Sequence, residues 1–338
     1  MRAATYPIKK DPPSLEIVDI NIPVPGEGEA LVKLLYTGVN PIDYWIAGGR
    51  YPINPPNRIV GSEGVGIVVD VGDDVKGLRP GDKVAIYPWI YCGECGYCRA
   101  GMENLCDEGG IVGGVIDGCY AEYIRLPIKN LVKIGGGELV NYAVSGVSIL
   151  TAYHAIRRIP IEEVDKALVY GASGNVGMFI IQYLSRMGIE VAGVSRKNWI
   201  LEYGADHRVE IEDLEEFISR WGRPDLVVNP LGGDVFREST YLVRKRGYIV
   251  TFGGLLSMKL PLDVAPIYRR EIHVIGSTGG TYNEFKNVVK HISKGYLRAR
   301  VWKVFELDEA EKAIRSLFSK ERDGKILIRN NGLNQSTV

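Results

Sequence analysis

The chain has no net charge, with 41 Lys and Arg set against 41 Asp and Glu. It also has no long basic run, so nothing supplies the field that holds a polyanion, and a nucleic-acid partner is not expected. No stretch approaches the roughly 18 uncharged apolar residues of a membrane span, so no membrane partner is expected either. The N-terminus, Met1-Arg2-Ala3-Ala4-Thr5 followed by Lys9-Lys10-Asp11, lacks the apolar core of a signal peptide. The expected location is therefore cytoplasmic. Cysteine is scarce: there are five, and four lie between positions 92 and 106, which does not look like a secreted disulfide scaffold.

What is present is an ordinary globular composition, 46% hydrophobic and 24% charged, over 338 residues. That length exceeds one growing core and predicts two domains. The first 138 or so residues read as short strands between Gly and Pro turns, with strands expected at Leu31 to Tyr36, Gly64 to Asp70 and Lys83 to Tyr87. This is the pattern of an irregular, barrel-like β domain. After about residue 140 strands alternate with helices. The expected strands are Ala167 to Tyr170, Glu190 to Val194, Leu226 to Asn229, Tyr248 to Phe252 and His273 to Ile275, with helices at Ser148 to Arg157 and Val176 to Met187. Such alternation predicts a parallel sheet covered on both faces. Helices are expected at Asn283 to Lys294 and Asp308 to Leu317, a last strand at Gly324 to Ile328, and a frayed polar end from Asn330 to Val338. Composition does not say which domain this tail joins.

The sharpest signal for chemistry is Gly171-Ala172-Ser173-Gly174-Asn175-Val176-Gly177, which follows a strand and opens a helix. Gly171 suits a tight turn, Gly174 a close approach to a pyrophosphate, and Gly177 close packing of helix on sheet, with the first helical N–H groups facing phosphates. The alternative is a turn that serves packing alone. The second strand of an NAD site commonly ends at an Asp or Glu for the ribose hydroxyls. Here Ser195-Arg196-Lys197 follows Val194, and no carboxylate comes before Glu202. A hydroxyl, a guanidinium and an ammonium favour a 2′-phosphate, so NADPH is the expected cofactor. Solvated surface charge is the bland reading of Arg196 and Lys197.

Cys92, Cys95, Cys98 and Cys106 have the spacing C-x2-C-x2-C-x7-C. Four thiolates so spaced can close a tetrahedral Zn²⁺ site that serves folding and leaves no open coordination position. An iron–sulfur cluster, disulfides or free thiols fit the same spacing. Cys119 stands apart and reads as a packed thiol.

Together with Gly61 to Gly72 (GSEGVGIVVDVG), Arg79 to Val84 (RPGDKV), Asp117 to Tyr123 (DGCYAEY) and Thr151 to Ala155 (TAYHA), these features resemble the medium-chain dehydrogenase/reductase superfamily over nearly the whole chain. The resemblance implies an α/β protein, a Rossmann cofactor domain with a GroES-like, mainly β catalytic domain. The domains would be 1–139 (with a zinc lobe at 88–108), 140–280 for the nucleotide, and 281–338 returning to the catalytic domain. It implies an active site in the interdomain cleft, one structural zinc on Cys92, Cys95, Cys98 and Cys106, and a homodimer or homotetramer acting on a small-molecule substrate. It also implies further cofactor contacts at Asn229, Phe252, Gly253, Ser277 and Thr278, each of which could equally be a turn residue.

The departures from that pattern define the chemistry. Zinc alcohol dehydrogenases carry a catalytic Cys where this chain has Asn40, and Gly-His-Glu where it has Gly61-Ser62-Glu63. A third ligand would fall near Val147. Glu63 alone does not hold a three-ligand catalytic zinc, and His154, His207, His273 and His291 are too scattered to replace it. The segment Gly38 to Trp45 (GVNPIDYW) instead resembles the zinc-free zeta-crystallin/quinone oxidoreductase branch, whose members generally lack the cysteine lobe and commonly have Tyr where Trp45 stands. The expected reaction is hydride transfer from NADPH to a quinone or activated alkene. Asn40 is the first candidate to stabilise the developing oxyanion, Tyr44 a second donor, Trp45 an apolar wall, and Thr151 a group that orients nicotinamide or substrate. Asp43 and Glu63 are read as buried organisers. The rival readings are an alcohol or sugar dehydrogenase with an atypical metal site and a non-enzymatic NADPH-binding protein.

Overall fold

The computed structural model describes residues 1–51, 57–259 and 262–330. The chain forms two compact units, Met1–Leu150 with Gly280–Val338, and Thr151–Gly279.

The first unit is built on one long strand, Glu29–Gly38, whose apolar residues are buried along most of its length. Gly64–Val71 pairs antiparallel along one edge of it. The other edge is shared: Tyr123–Pro127 takes the first half and Lys325–Arg329 the second. Lys83–Ile86, Leu131–Lys133 and Val301–Glu306 complete the sheet. Val32, Leu34, Val68, Val84, Ile86 and Ile124 fill one core. A second core joins Tyr6, Val39, Ile46 and Tyr120 to Ile314, Ile326 and Ile328 from the end of the chain. The tail therefore belongs to this unit because its strand completes the sheet and its side chains complete the core.

The boundary lies 11 residues later than the expected break after residue 139. Helix Leu139–Ala143 and the turn after it are tied to the first unit: Ala299 N donates to Asn141 Oδ1 (2.8 Å), and Val147 N to Glu63 Oε2 (2.7 Å). The expected helix at Ser148 to Arg157 is in fact a π-helical turn, Ser145–Ile149, followed by helix Leu150–Arg157. Asn330 is not frayed; it is buried and its N–H donates to Leu35 O (3.2 Å). The remainder of that polar end, 331–338, lies outside the described residues.

The second unit is a six-stranded parallel sheet in the order His207–Val209, Glu190–Val194, Lys166–Tyr170, Leu226–Val228, Tyr248–Thr251, His273–Gly276. The chain starts in the middle, winds outward one way, then returns and winds the other way. This is the Rossmann order, with its switch point between Lys166–Tyr170 and Leu226–Val228. Leu168, Ala192, Val227 and Ile249 form the core under the helices. Among the described residues, no helix is long and apolar enough to cross a membrane.

Candidate functional site

Parallel register brings the predicted nucleotide residues to one edge of the second sheet. Tyr170 is level with Val194, Val169 with Val228, Val228 with Val250, and Thr251 with Gly276. Gly171, Ser195, Asn229, Phe252 and Ser277 therefore follow the carboxyl ends of neighbouring strands, where open α/β sheets bind ligands. Gly171 has φ +62°, and a Cβ on Gly177 would lie 2.2 Å from Gly171 O. The glycines thus let helix Gly177–Arg186 begin directly against the turn. Ser173 accepts from Ser195 Oγ (2.9 Å), which ties the turn to the next strand end. The buried Ser277 Oγ has no hydrogen-bond partner within the protein, as expected of a group that serves a ligand. These features fit a dinucleotide. Asn229 is different: its amide donates to Val235 O (3.0 Å) and Ser239 Oγ (2.8 Å), and its Oδ1 accepts from Leu231 N (3.0 Å). Its side chain is spent on its own turn and its N–H on Val250 O (2.9 Å), which leaves the backbone carbonyl for any cofactor contact.

At the end of the second strand Arg196 is exposed and Lys197 half-buried. Sequence reasoning missed a third cation there. Arg208, on the neighbouring strand, donates to Ser195 O (3.2 Å) and pairs with Glu210 (2.8 Å). Its nearness comes from strand pairing and cannot be read from sequence spacing.

In the first unit, Trp89–Ile90 and Gly110–Ile111 pair to form the base of the cysteine lobe. All four sulfurs lie within 4.8 Å of one another. The Cys92–Cys98 and Cys92–Cys106 separations are 3.9 and 3.5 Å, close to the edge of about 3.8 Å of a tetrahedron with Zn–S bonds of about 2.3 Å. Backbone N–H groups of Glu94 and Cys95 point at Cys92 Sγ and lower its pKa; the N–H of Cys98 does the same for Cys95, which falls to about 6. Donors aimed at these two sulfurs favour the thiolates that a metal requires, whereas burial pushes the Cys98 thiol up to about 12.

The other cluster centres on Asn40. Helix Pro41–Ala47 starts here, and Asp43 Oδ2 accepts the Asn40 N–H (2.8 Å). Asp43 also accepts from Ser62 Oγ (2.6 Å) and Tyr120 OH (3.0 Å), and burial pushes its carboxyl up to about 6. Glu63 is fully buried; a Cβ on Gly38 would lie 2.3 Å from its Oε1, so only glycine leaves room for it. The π-helical turn, marked by Ile149 N bonding five residues back to Val144 O (3.1 Å), aims Val147 N and Ser148 N (2.7 and 3.2 Å) at Glu63 Oε2. Asn40 Nδ2 donates to Glu63 Oε1 (2.6 Å).

At the centre is a residue that sequence reasoning did not single out. Lys325 is wholly buried, and its ammonium donates to Ser148 Oγ (2.8 Å), Asn40 Oδ1 (2.9 Å), Glu63 Oε1 (3.0 Å) and Val39 O (3.3 Å). Burial lowers its pKa, and the Glu63 carboxylate opposes that shift. Its only sequence signal is a charge at the head of the apolar strand Lys325–Arg329, and its partners lie far away along the chain. Asp43 and Glu63 are both buried, as expected.

Tyr44 points elsewhere. Its hydroxyl donates to Asp11 Oδ1 (2.7 Å), and its ring packs edge-on against Phe318 (4.8 Å). This commitment to Asp11 takes Tyr44 out of the set of available donors. Trp45 is half-buried, and Thr151 is buried at the start of the second unit. His154, in helix Leu150–Arg157, belongs to no metal-holding group among the described residues.

Two family models match the chain: the alcohol dehydrogenase GroES-like domain over residues 26–136 and the zinc-binding dehydrogenase over residues 175–294. An alcohol dehydrogenase of Geobacillus stearothermophilus is 32% identical, covering 93% of this chain and 94% of that one. The chain belongs to the medium-chain dehydrogenase/reductase superfamily. The structure of a thermostable alcohol dehydrogenase from Pyrobaculum aerophilum superposes with a TM-score of 0.90 at 35% identity, covering 97% and 99% of the two chains. An acryloyl-coenzyme A reductase of Metallosphaera sedula is 26% identical over 93% of this chain and 96% of that one.

This member of the superfamily is an NAD(P)-dependent oxidoreductase with a structural four-cysteine zinc site. Among the described residues, those four cysteines form the one cluster of three or more His, Cys, Asp or Glu able to hold a metal; no catalytic-zinc ligand set accompanies them. Metal analysis of the purified protein is expected to find one zinc per chain, against two for a member that also has a catalytic site. Cys98→Ser is expected to lose that zinc and to lower Tm, read by calorimetry, because the lobe has little regular structure of its own.

Proposed function

We propose that the enzyme transfers a hydride from NADPH to a quinone or activated alkene without a catalytic metal. The observation that carries this reading is the content of the Asn40 cluster. Asn40 and Ser62 stand where zinc alcohol dehydrogenases place Cys and His, and an ammonium lies among Asn40, Glu63 and Ser148. Oxidising an alcohol requires a group that takes its proton and stabilises an alkoxide, which zinc does by lowering the pKa of its ligand. Reducing a conjugated alkene requires less. Hydride adds to the electrophilic carbon, the electron pair moves onto the carbonyl oxygen, and solvent protonates the resulting enolate. Polar donors such as Asn40 are enough to stabilise that oxygen, with Trp45 as an apolar wall and Thr151 orienting the ring. The similarity to an acryloyl-coenzyme A reductase supports this reading. Similarity to alcohol dehydrogenases favours direct alcohol or carbonyl chemistry, and the test separates the two. Wild-type protein is expected to oxidise NADPH with 2-cyclohexen-1-one or 1,4-benzoquinone, and Asn40→Ala to lose about 10²-fold in kcat. Zinc-dependent oxidation of simple alcohols, with no enone or quinone turnover, would sink the proposal.

The preference for NADPH rests on Ser195, Arg196, Lys197 and the adjacent Arg208, with Gly171, Ser173, Gly174, Asn175, Val176 and Gly177 receiving the pyrophosphate and Phe252, Gly253, Ser277 and Thr278 the nicotinamide half. Arg196→Ala with Lys197→Ala is expected to weaken NADPH binding at least about tenfold while changing NADH binding little. Equal losses for both cofactors, measured by fluorescence titration, would argue against the assignment.

A homodimer or homotetramer is proposed from the outer strand His273–Gly276. Within the described residues it pairs on one side with Tyr248–Thr251, and Val274 is exposed, as are Val264 and Tyr268 of the preceding helix. An unprotected apolar strand edge invites pairing with a second copy. Light scattering after gel filtration is expected to give two or four times the chain mass of 37.4 kDa; a monomer at micromolar concentration would contradict it.

A further inference from the structure

We propose that Lys325 is a positioning residue of the reaction, its buried ammonium supplying beneath Asn40 the fixed positive charge that zinc supplies in metal-dependent members of the superfamily. This rests on the reading of Asn40 as the group that meets the reacting oxygen.

The geometry is specific. The ammonium has three hydrogens, and its closest acceptors are three side-chain oxygens at 2.8–3.0 Å, from Ser148, Asn40 and Glu63. Those acceptors come from a strand-to-helix junction, the start of a strand and a π-helical turn. No two of them are neighbours in sequence, and they meet around one cation. Ser148 Oγ donates in turn to Asn40 Oδ1 (3.1 Å). Two donors on Oδ1 and an acceptor, Glu63 Oε1, on Nδ2 fix both ends of the Asn40 amide.

A donor held in one orientation pays no reorganisation as charge develops. An ammonium hydrogen-bonded to the amide oxygen also draws electron density from the amide and makes its N–H groups better donors, the cooperative polarisation of hydrogen-bonded chains. Asn40 and Lys325 are both buried, and the Lys325 ammonium, bonded to Asn40 Oδ1, acts through that amide. The Glu63 carboxylate offsets the cost of burying the cation.

The test must remove the charge without leaving its partner exposed to the same loss. Lys325→Met alone strands Glu63, so the informative variant is Lys325→Met with Glu63→Gln, in which both charges are gone and the volumes are kept. Glu63→Gln alone keeps the cation. All are assayed as full-length protein with NADPH and 2-cyclohexen-1-one, beside Asn40→Ala. The neutral double variant is expected to keep a wild-type circular dichroism spectrum and NADPH Kd, and a KM within about threefold, while kcat falls at least about tenfold. Glu63→Gln, which breaks the pair but retains the cation, is expected to keep a higher kcat than the neutral double variant. Should the double variant not fold, Lys325→Gln with Glu63→Gln keeps hydrogen-bonding groups at both positions and serves the same comparison. A folded neutral variant with wild-type kcat overturns the inference while leaving the enone reading intact. No enone turnover by the wild type, or full turnover by Asn40→Ala, instead removes the reading on which the inference rests.

Discussion

The cluster around Asn40 depends on one buried ion pair, Lys325 with Glu63, at 3.0 Å and with both side chains wholly out of water. Each charge is costly there without the other. Removing one partner of a buried pair costs about 3–5 kcal/mol, because the other is left uncompensated. The pair persists here because its neighbours satisfy it: three further oxygens receive the ammonium, and the carboxylate accepts from two backbone N–H groups and the Asn40 amide. Its placement in turn depends on the last strand, Lys325–Arg329, docking beside Gly38.

That dependence links the fold to the chemistry. The chain leaves the first unit at residue 150, builds the nucleotide domain, and returns at residue 280. Its final strand then supplies both sheet hydrogen bonds and a cation. Gly38 ends the strand that receives it and leaves the space Glu63 occupies. The π-helical turn at Ser145–Ile149 directs two N–H groups at the carboxylate, which an ordinary helical turn would spend within itself.

The two cation-binding designs in this unit contrast with each other. The cysteine lobe gathers four soft ligands within a short stretch of chain, three half-buried and one buried, and backbone N–H groups favour thiolate at Cys92 and Cys95. It stabilises a loop. The Asn40 cluster gathers hard oxygen groups around an ammonium that the chain carries itself. Asp43, beside it, is held by Ser62, Tyr120 and the Asn40 backbone, and burial raises its pKa to about 6.

Local pattern was enough to read the superfamily's parts: the glycine turn after a strand, the cysteine spacing, the alternation of strands and helices, and the lack of a catalytic-zinc ligand set among the described residues. Each is a short-range regularity, set by backbone stereochemistry or by the reach of neighbouring side chains. The late domain boundary, the burial of Asn330, the commitment of the Tyr44 hydroxyl to Asp11, and the arrival of Arg208 beside Ser195 were decided by tertiary structure. So was the meeting of Lys325 with Glu63, which lie 262 positions apart. Strand pairing brings such groups together, and a single sequence carries no mark of which distant strand a given edge will accept.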